Sequence, residues 1–278
     1  LLNRYKVYRI DKGSYLDLQS LYYISPELSL VGLALVLIAL DLVTNLKKHV
    51  TWVVMLGLIV PMVFIVLLWI GLNDNDLPSK IFFASLSLDH FALTFKALII
   101  VILVPIVLLS HQYSSNYSLF RMEYFSLILI SAVGMMLLAS AADLITIYIA
   151  LELTAIPIAA LATFMRKIRS VEAGMKFLIL SAISSAILLY GLVILYGYTG
   201  SVNLEIINSR ILEIGQQDSA PFGSYALLLA VAMIVAGFGF KIAIVPFQMW
   251  APDVYEGSPI PVTAFLSVAS KAAGFAVI

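Results

Sequence analysis

Three charged side chains lie where a charge is expensive. Lys241 is inside the apolar run GFGFKIAIVPFQMWAPDVYEGSPIP (Gly237 to Pro261), five residues before Pro246. Glu152 precedes Pro157 by the same five residues in another apolar run, and Lys271 follows Pro261 by ten in a third. One carboxylate and two amines on three apolar segments suit proton handling. Burial disfavours the charged form of an amine and a nearby carboxylate favours it, so a lysine held between the two changes protonation when its partner moves or is neutralised. Groups of this kind, bridged by water, pass protons along. The alternative is a static ion pair that docks two helices. Both Pro157 and Pro246 are expected to break their helices, because proline lacks a backbone donor and its ring clashes with the carbonyl four residues back, here Ile242 for Pro246. A broken helix beside a buried charge is tolerated only against protein or a wet cavity.

The remaining charges have plainer readings. Lys176, six residues after Ser170, is about 9 Å into its helix, where a long amine snorkels to the interface. Lys96, near a helix start, is expected to do the same. Asp41 and Asp89 read as cap or interface residues, and Glu27, following Pro26, suits a helix N-terminus. Asp253 and Glu256 in WAPDVYEGSP are expected to order a Pro- and Gly-containing loop, with Trp250 and Tyr255 in an interfacial aromatic belt. Gly237 and Gly239 lack the strand context of a nucleotide fingerprint and point to close helix contact or bending.

The elements that carry these residues follow from composition. Of 278 residues, 62% are hydrophobic and 12% charged, against about 25% charged in soluble domains; the chain is expected to be a multi-pass, all-α membrane protein. Sixteen basic residues balance 16 acidic ones, which gives no support for nucleic-acid binding. Absence of cysteine excludes disulfides, thiolate-held iron–sulfur clusters and cysteine zinc sites from this chain. His49, His90 and His111 are too dispersed for a metal or haem centre, so any electron transfer is expected in another subunit. The chain begins at Leu1 and stops inside an apolar run; it is expected to be part of a longer protein.

A membrane helix needs about 20 apolar residues. After a mixed arm, Leu1 to Ser25, the spans are expected at Pro26–Leu46, Thr51–Leu72 and Phe91–Ser110, with a polar loop from Asn73 to Lys80. The stretch from Tyr124 to Phe164 is twice the needed length and splits near Ala139–Asp143, with Asp143 capping the second helix. Span six covers Val171–Tyr198, a polar loop covers Gly200–Phe222, and spans seven and eight cover Ser224–Trp250 and Pro259–Ile278. Glu152 is then about 13 Å past Asp143 and Lys271 about 15 Å past Pro261, at similar depth. Lys47, Lys48, Arg121, Arg166, Lys167 and Arg169 crowd the loops of one face, against Lys80 and Arg210 on the other; Arg4, Lys6, Arg9 and Lys12 of the arm add to the second face but stand about 14 or more residues from the first span, near the edge of the range that counts, so the N-terminus is expected outside.

Four stretches carry a resemblance: IALELTAIP (149–157), MKFLILSAISS (175–185), GFGFKIAIVPFQMWAPDVYEGSP (237–259) and FLSVASKAAGF (265–275). They resemble the antiporter-like, proton-pumping membrane subunits of respiratory complex I, the NADH:quinone oxidoreductase. Within that group PDVYEG and SVASKAAGF resemble the subunit N, or mitochondrial subunit 2, type. The motifs cover residues 124–278; PELSLVGLALVLIALDL and DHFALTFK are weaker echoes. The resemblance implies a fold of two inverted five-helix repeats with broken helices at midplane. This chain would hold three leading helices (26–122) and the first repeat (123–278), with a broken seventh helix and without the second repeat. It also implies that Glu152, Lys176, Lys241 and Lys271 form a proton channel driven by distant quinone reduction, Glu152 modulating Lys241, Lys176 on the hydrated path and Lys271 relaying onward. It places NADH, FMN, iron–sulfur clusters and quinone in partner subunits, with other complex I membrane subunits as neighbours in a bacterial plasma membrane or an organellar energy-transducing membrane. The competing expectations are a subunit of a cation/proton antiporter or membrane-bound hydrogenase, and a non-conducting scaffold.

Overall fold

The computed structural model describes residues 18–43, 49–73, 80–114, 121–165, 167–215 and 221–278. The chain runs α1 (Leu18–Tyr23), α2 (Ser25–Val43), α3 (Val50–Gly57), α4 (Ile59–Asn73), a two-residue hairpin pair β1 (Lys80–Ile81) and β2 (Leu86–Ser87), α5 (His90–Ser114), α6 (Arg121–Ser140) and α7 (Leu144–Ala162). It continues with α8 (Ile168–Thr199), α9 (Leu204–Gly215), α10 (Pro221–Ile242), a 3-10 turn (Phe247–Trp250), α11 (Ala251–Gly257) and α12 (Ile260–Val277). Eight described segments are long and apolar enough to cross a membrane: α2, α3 with α4, α5, α6, α7, α8, α10 through α11, and α12. The expected eight spans stand; the N-terminal arm before residue 18 and Lys47, Lys48 and Arg166 lie outside the described residues.

Local chemistry sets the boundaries. Asp143 caps α7 as expected, accepting from the Thr146 amide at 2.6 Å, and Asp89 caps α5 through the Ala92 amide at 2.7 Å. Gly200, at φ 65°, ends α8 in the left-handed conformation that glycine adopts without cost. Pro261 sits in the first turn of α12, where its missing donor is not needed.

Residues 74–79 of the expected polar loop lie outside the described residues; beyond it β1 and β2 form a hairpin, tied down where the Ala142 amide donates to the Ser85 carbonyl at 2.8 Å and Asn203 Nδ2 to the Ala84 carbonyl at 3.2 Å. The second span carries a turn at Leu58, between α3 and α4. Three expectations need correction. The polar loop 200–222 contains α9, whose Ile207 is buried with Ile211 packed on the core, a helical spacing of apolar positions. PDVYEG is helical, with Pro252 at the start of α11. Pro157 does not break its helix: α7 runs unbroken from Leu144 to Ala162 with the proline inside.

Helix α6 is the core element. It packs against α2, α5, α7 and α12, and most of its side chains are buried. Small residues allow the closest approaches. A Cβ on Gly134 would sit 2.7 Å from the Thr154 amide nitrogen of α7, and one on Gly237 2.5 Å from Leu188 Cβ of α8. The second explains the role expected for Gly237. Close backbone approach is how helices associate where lipid removes the hydrophobic drive between them.

Candidate functional site

The site is built where α10 fails. Pro246 has no amide hydrogen for the Ile242 carbonyl, and Ala243, at φ 55°, turns the backbone into the left-handed region that a residue with a Cβ rarely adopts. The freed carbonyls find other donors. Lys271 Nζ of α12 donates to the Ile242 carbonyl at 3.1 Å, and Trp250 Nε1 donates to the Phe240 carbonyl at 3.0 Å. The Phe240 carbonyl also accepts from the Ala243 amide, and the Gly239 carbonyl from the Ile244 amide. The break expected at Pro246 is therefore real and stabilised from outside its own helix.

Trp250 is an anchor rather than a belt residue. It is 3% exposed, with ring centroids 5.1 Å from Phe177 and 5.3 Å from Phe240, and Lys271 Nζ is 5.3 Å from its ring centre. The short, folded-back segment after the break carries the indole inward, which a reading of Trp as an interfacial residue does not anticipate.

Lys241 occupies the last turn of α10. Its ammonium donates to Ser181 Oγ at 2.8 Å and Ser185 Oγ at 2.9 Å, both on α8, and lies 3.6 Å from Glu152 Oε1 of α7. The Ser185 hydroxyl in turn donates to Glu152 Oε1. Side chains of Lys241 and Glu152 are 9% and 26% exposed. Three helices thus converge on a Lys–Ser–Glu chain in which Lys241 donates to Ser185 and Ser185 donates to the carboxylate. A cavity of about 30 Å³ adjoins it, lined by Lys241, Thr154 and Ser270 among apolar residues including Trp250; that is room for about one water. Ser270 neighbours Lys271, so the cavity lies between Lys241 and α12. The two serines are the residues that the sequence reading missed. Their i, i+4 spacing on the apolar helix α8 was the available signal, since it sets both hydroxyls on one face.

Lys176 is not part of this cluster. Its ammonium pairs with Glu172 at 2.8 Å and Asp253 at 2.9 Å, and its side chain is 43% exposed. It borders a polar pocket of about 250 Å³ with Arg169, Glu172, Asp253 and Glu256. Asp253 on α11 serves as its partner beyond its own helix. A groove of about 600 Å³ between α3, α4 and α5 is apolar and is lined by none of these charges.

Lys96 and Glu27 require the largest correction. Lys96 does not snorkel. It is paired with Glu27 Oε1 at 2.6 Å, and the two side chains are 2% and 4% exposed. Glu27 stands in the first turn of α2, as expected, but faces inward across 69 residues of sequence to α5. Among the described residues no group of three or more His, Asp or Glu side chains is placed to hold a metal.

Eight described spans, with a helix broken beside a buried lysine–carboxylate pair, define a multi-pass integral membrane protein. Residues 141–278 match the NADH:quinone oxidoreductase/Mrp antiporter transmembrane family. It is 39% identical over 90% of its length to NADH-quinone oxidoreductase subunit N of Dehalococcoides mccartyi, and 40% over 92% to subunit N of Trichlorobacter lovleyi, covering 51% of each. The chain thus spans about half the length of the curated relatives it matches. Among solved structures it superposes with a TM-score of 0.69 on a chain of respiratory complex I from Thermus thermophilus, 31% identical, over 91% of this chain and 52% of that one. A chain of an archaeal membrane-bound sulfane sulfur reductase, 21% identical, shares the fold at the same TM-score.

Proposed function

We propose that the chain is the leading half of a proton-translocating membrane subunit of an NADH:quinone oxidoreductase, and that Glu152, Ser185 and Lys241 are its switching site. One observation carries this reading: a lysine and a glutamate from separate apolar helices meet at 3.6 Å with a serine hydroxyl linking them, beside a broken helix. Intramembrane ionisable groups of this kind mark ion paths by default.

The chain of hydrogen bonds has the polarity that transfer needs. Lys241 gives a proton to Ser185 Oγ as Ser185 gives its own to Glu152, leaving a neutral amine and a neutral carboxylic acid. No atom moves further than a hydrogen-bond length. Reprotonation of Lys241 from Lys176 and its polar pocket, and onward passage by cavity water to Lys271, complete the half-path. An approaching or departing charge shifts the equilibrium because a nearby carboxylate favours the charged amine. NADH, FMN, iron–sulfur clusters and quinone belong to partner subunits in this reading, and the neighbours are the other membrane subunits of the complex. The lysine–glutamate pattern also fits a cation/proton antiporter or hydrogenase subunit; the subunit N relatives favour the oxidoreductase.

Glu152→Gln in the full-length protein within its host complex tests the reading. Proton pumping per quinone reduced falls several-fold with assembly retained, as measured by a pH-sensitive dye on sealed membranes; unchanged pumping would overturn the switching role.

A further inference from the structure

The Glu27–Lys96 pair is not used by the mechanism above, yet it is the more deeply buried of the two pairs. Its hydrogen bonding is incomplete among the described residues. An ammonium carries three donors and a carboxylate about four acceptor positions, but Glu27 Oε2 and the hydroxyl of Ser25, in the same first turn of α2, are buried without a hydrogen-bond partner. A static buried bridge offsets the desolvation of its charges only when the remaining valences are filled. Unfilled ones at this depth call for water.

Position links the pair to the site. Lys96 is six residues into α5, about 9 Å from the face where α2 begins, and α5 packs on α12, which carries Lys271. Other titratable or charged groups on the elements packed against the pair are Tyr22 and Tyr23 on α1 and His90 on α5 at this end. Asp41, His111, Tyr113, Arg121, Glu123 and Tyr124 stand at the opposite ends of their helices, and α3 and α4 carry none.

From the burial, the unfilled oxygens and the packing of α5 on α12 we infer that Glu27 and Lys96 form a second protonatable site, holding a bound water and an exchangeable proton, on a branch leading from Lys271 toward the face where α2 begins. It rests on the proton-transfer reading of the chain.

The test is Glu27→Gln with Lys96→Met in the full-length protein in its host complex, assembly checked by native gel. A matched neutral pair removes both charges together and so leaves no uncompensated one. The expected result is an assembled complex whose pumping per quinone reduced falls several-fold. Full pumping makes the pair a helix clasp and overturns the inference. Should the neutral pair fail to assemble, the swap Glu27→Lys with Lys96→Glu keeps the bridge. Assembly with lost pumping supports the site, assembly with full pumping overturns it, and failure of both makes the pair a folding element and also overturns it. Lys241→Ala measured on the same membranes keeps the two failures apart. If Lys241→Ala abolishes pumping while the pair variants do not, this inference alone falls; if it has no effect, the underlying reading falls.

Discussion

Ser185 is the residue on which the proposed proton transfer turns. It accepts from Lys241 at 2.9 Å and donates to Glu152, while Ser181 only accepts from the same ammonium at 2.8 Å. Without Ser185 the charges remain 3.6 Å apart, a favourable pair with no hydrogen-bonded path between them. Ser185→Ala is therefore expected to slow proton transfer by about tenfold or more, since small losses of alignment are costly in transfer steps. Ser185→Thr restores it and Ser181→Ala has the smaller effect. Pumping rates of the three variants check this; equal losses in Ser181→Ala and Ser185→Ala would contradict it. Lys241, Glu152 and Lys271 were legible in the sequence because a charge in an apolar run announces itself. Serines do not, being common in membrane helices. Lys96 announced itself equally, but its partner Glu27 sits in another helix, and depth along α5 alone does not separate a snorkelling amine from a paired one.

At the scale of elements, the two prolines are the instructive comparison. Pro157 and Pro246 each follow a charged residue by five positions, yet α7 continues and α10 breaks. Proline is tolerated inside membrane helices when its surroundings satisfy the freed groups. At Pro246 the surroundings supply Lys271 and Trp250 as donors to the carbonyls of the opened backbone, and Ala243 accepts a left-handed φ. Donors from α12 and from beyond the break are tertiary facts that spacing does not contain. Lys271 thus braces the break, in addition to its proposed place on the onward path. Lys271→Met leaves the Ile242 carbonyl without that donor, at a cost of about 1–3 kcal/mol, and is expected to lower the thermal midpoint of the purified full-length protein; an unchanged midpoint would contradict the bracing role. The α9 helix was legible in principle, since Ile207 and Ile211 repeat with helical spacing, but the polar residues around them read as loop.

At the scale of the whole molecule, the eight described spans follow from hydropathy because lipid demands that every backbone group be satisfied within a helix. Two buried ion pairs among the described residues tie distant parts of that bundle together: α2 to α5 in the leading helices, and α7 to α10 in the antiporter-like region. A scaffold could use both pairs as clasps; a proton-transfer subunit uses their charges. Lys241→Ala in the full-length protein, within its host complex and with assembly confirmed by native gel, separates these most directly. The account predicts loss of proton pumping and of coupled quinone reduction with assembly intact. Wild-type pumping in that assembled variant would contradict it and leave Lys241 a docking charge.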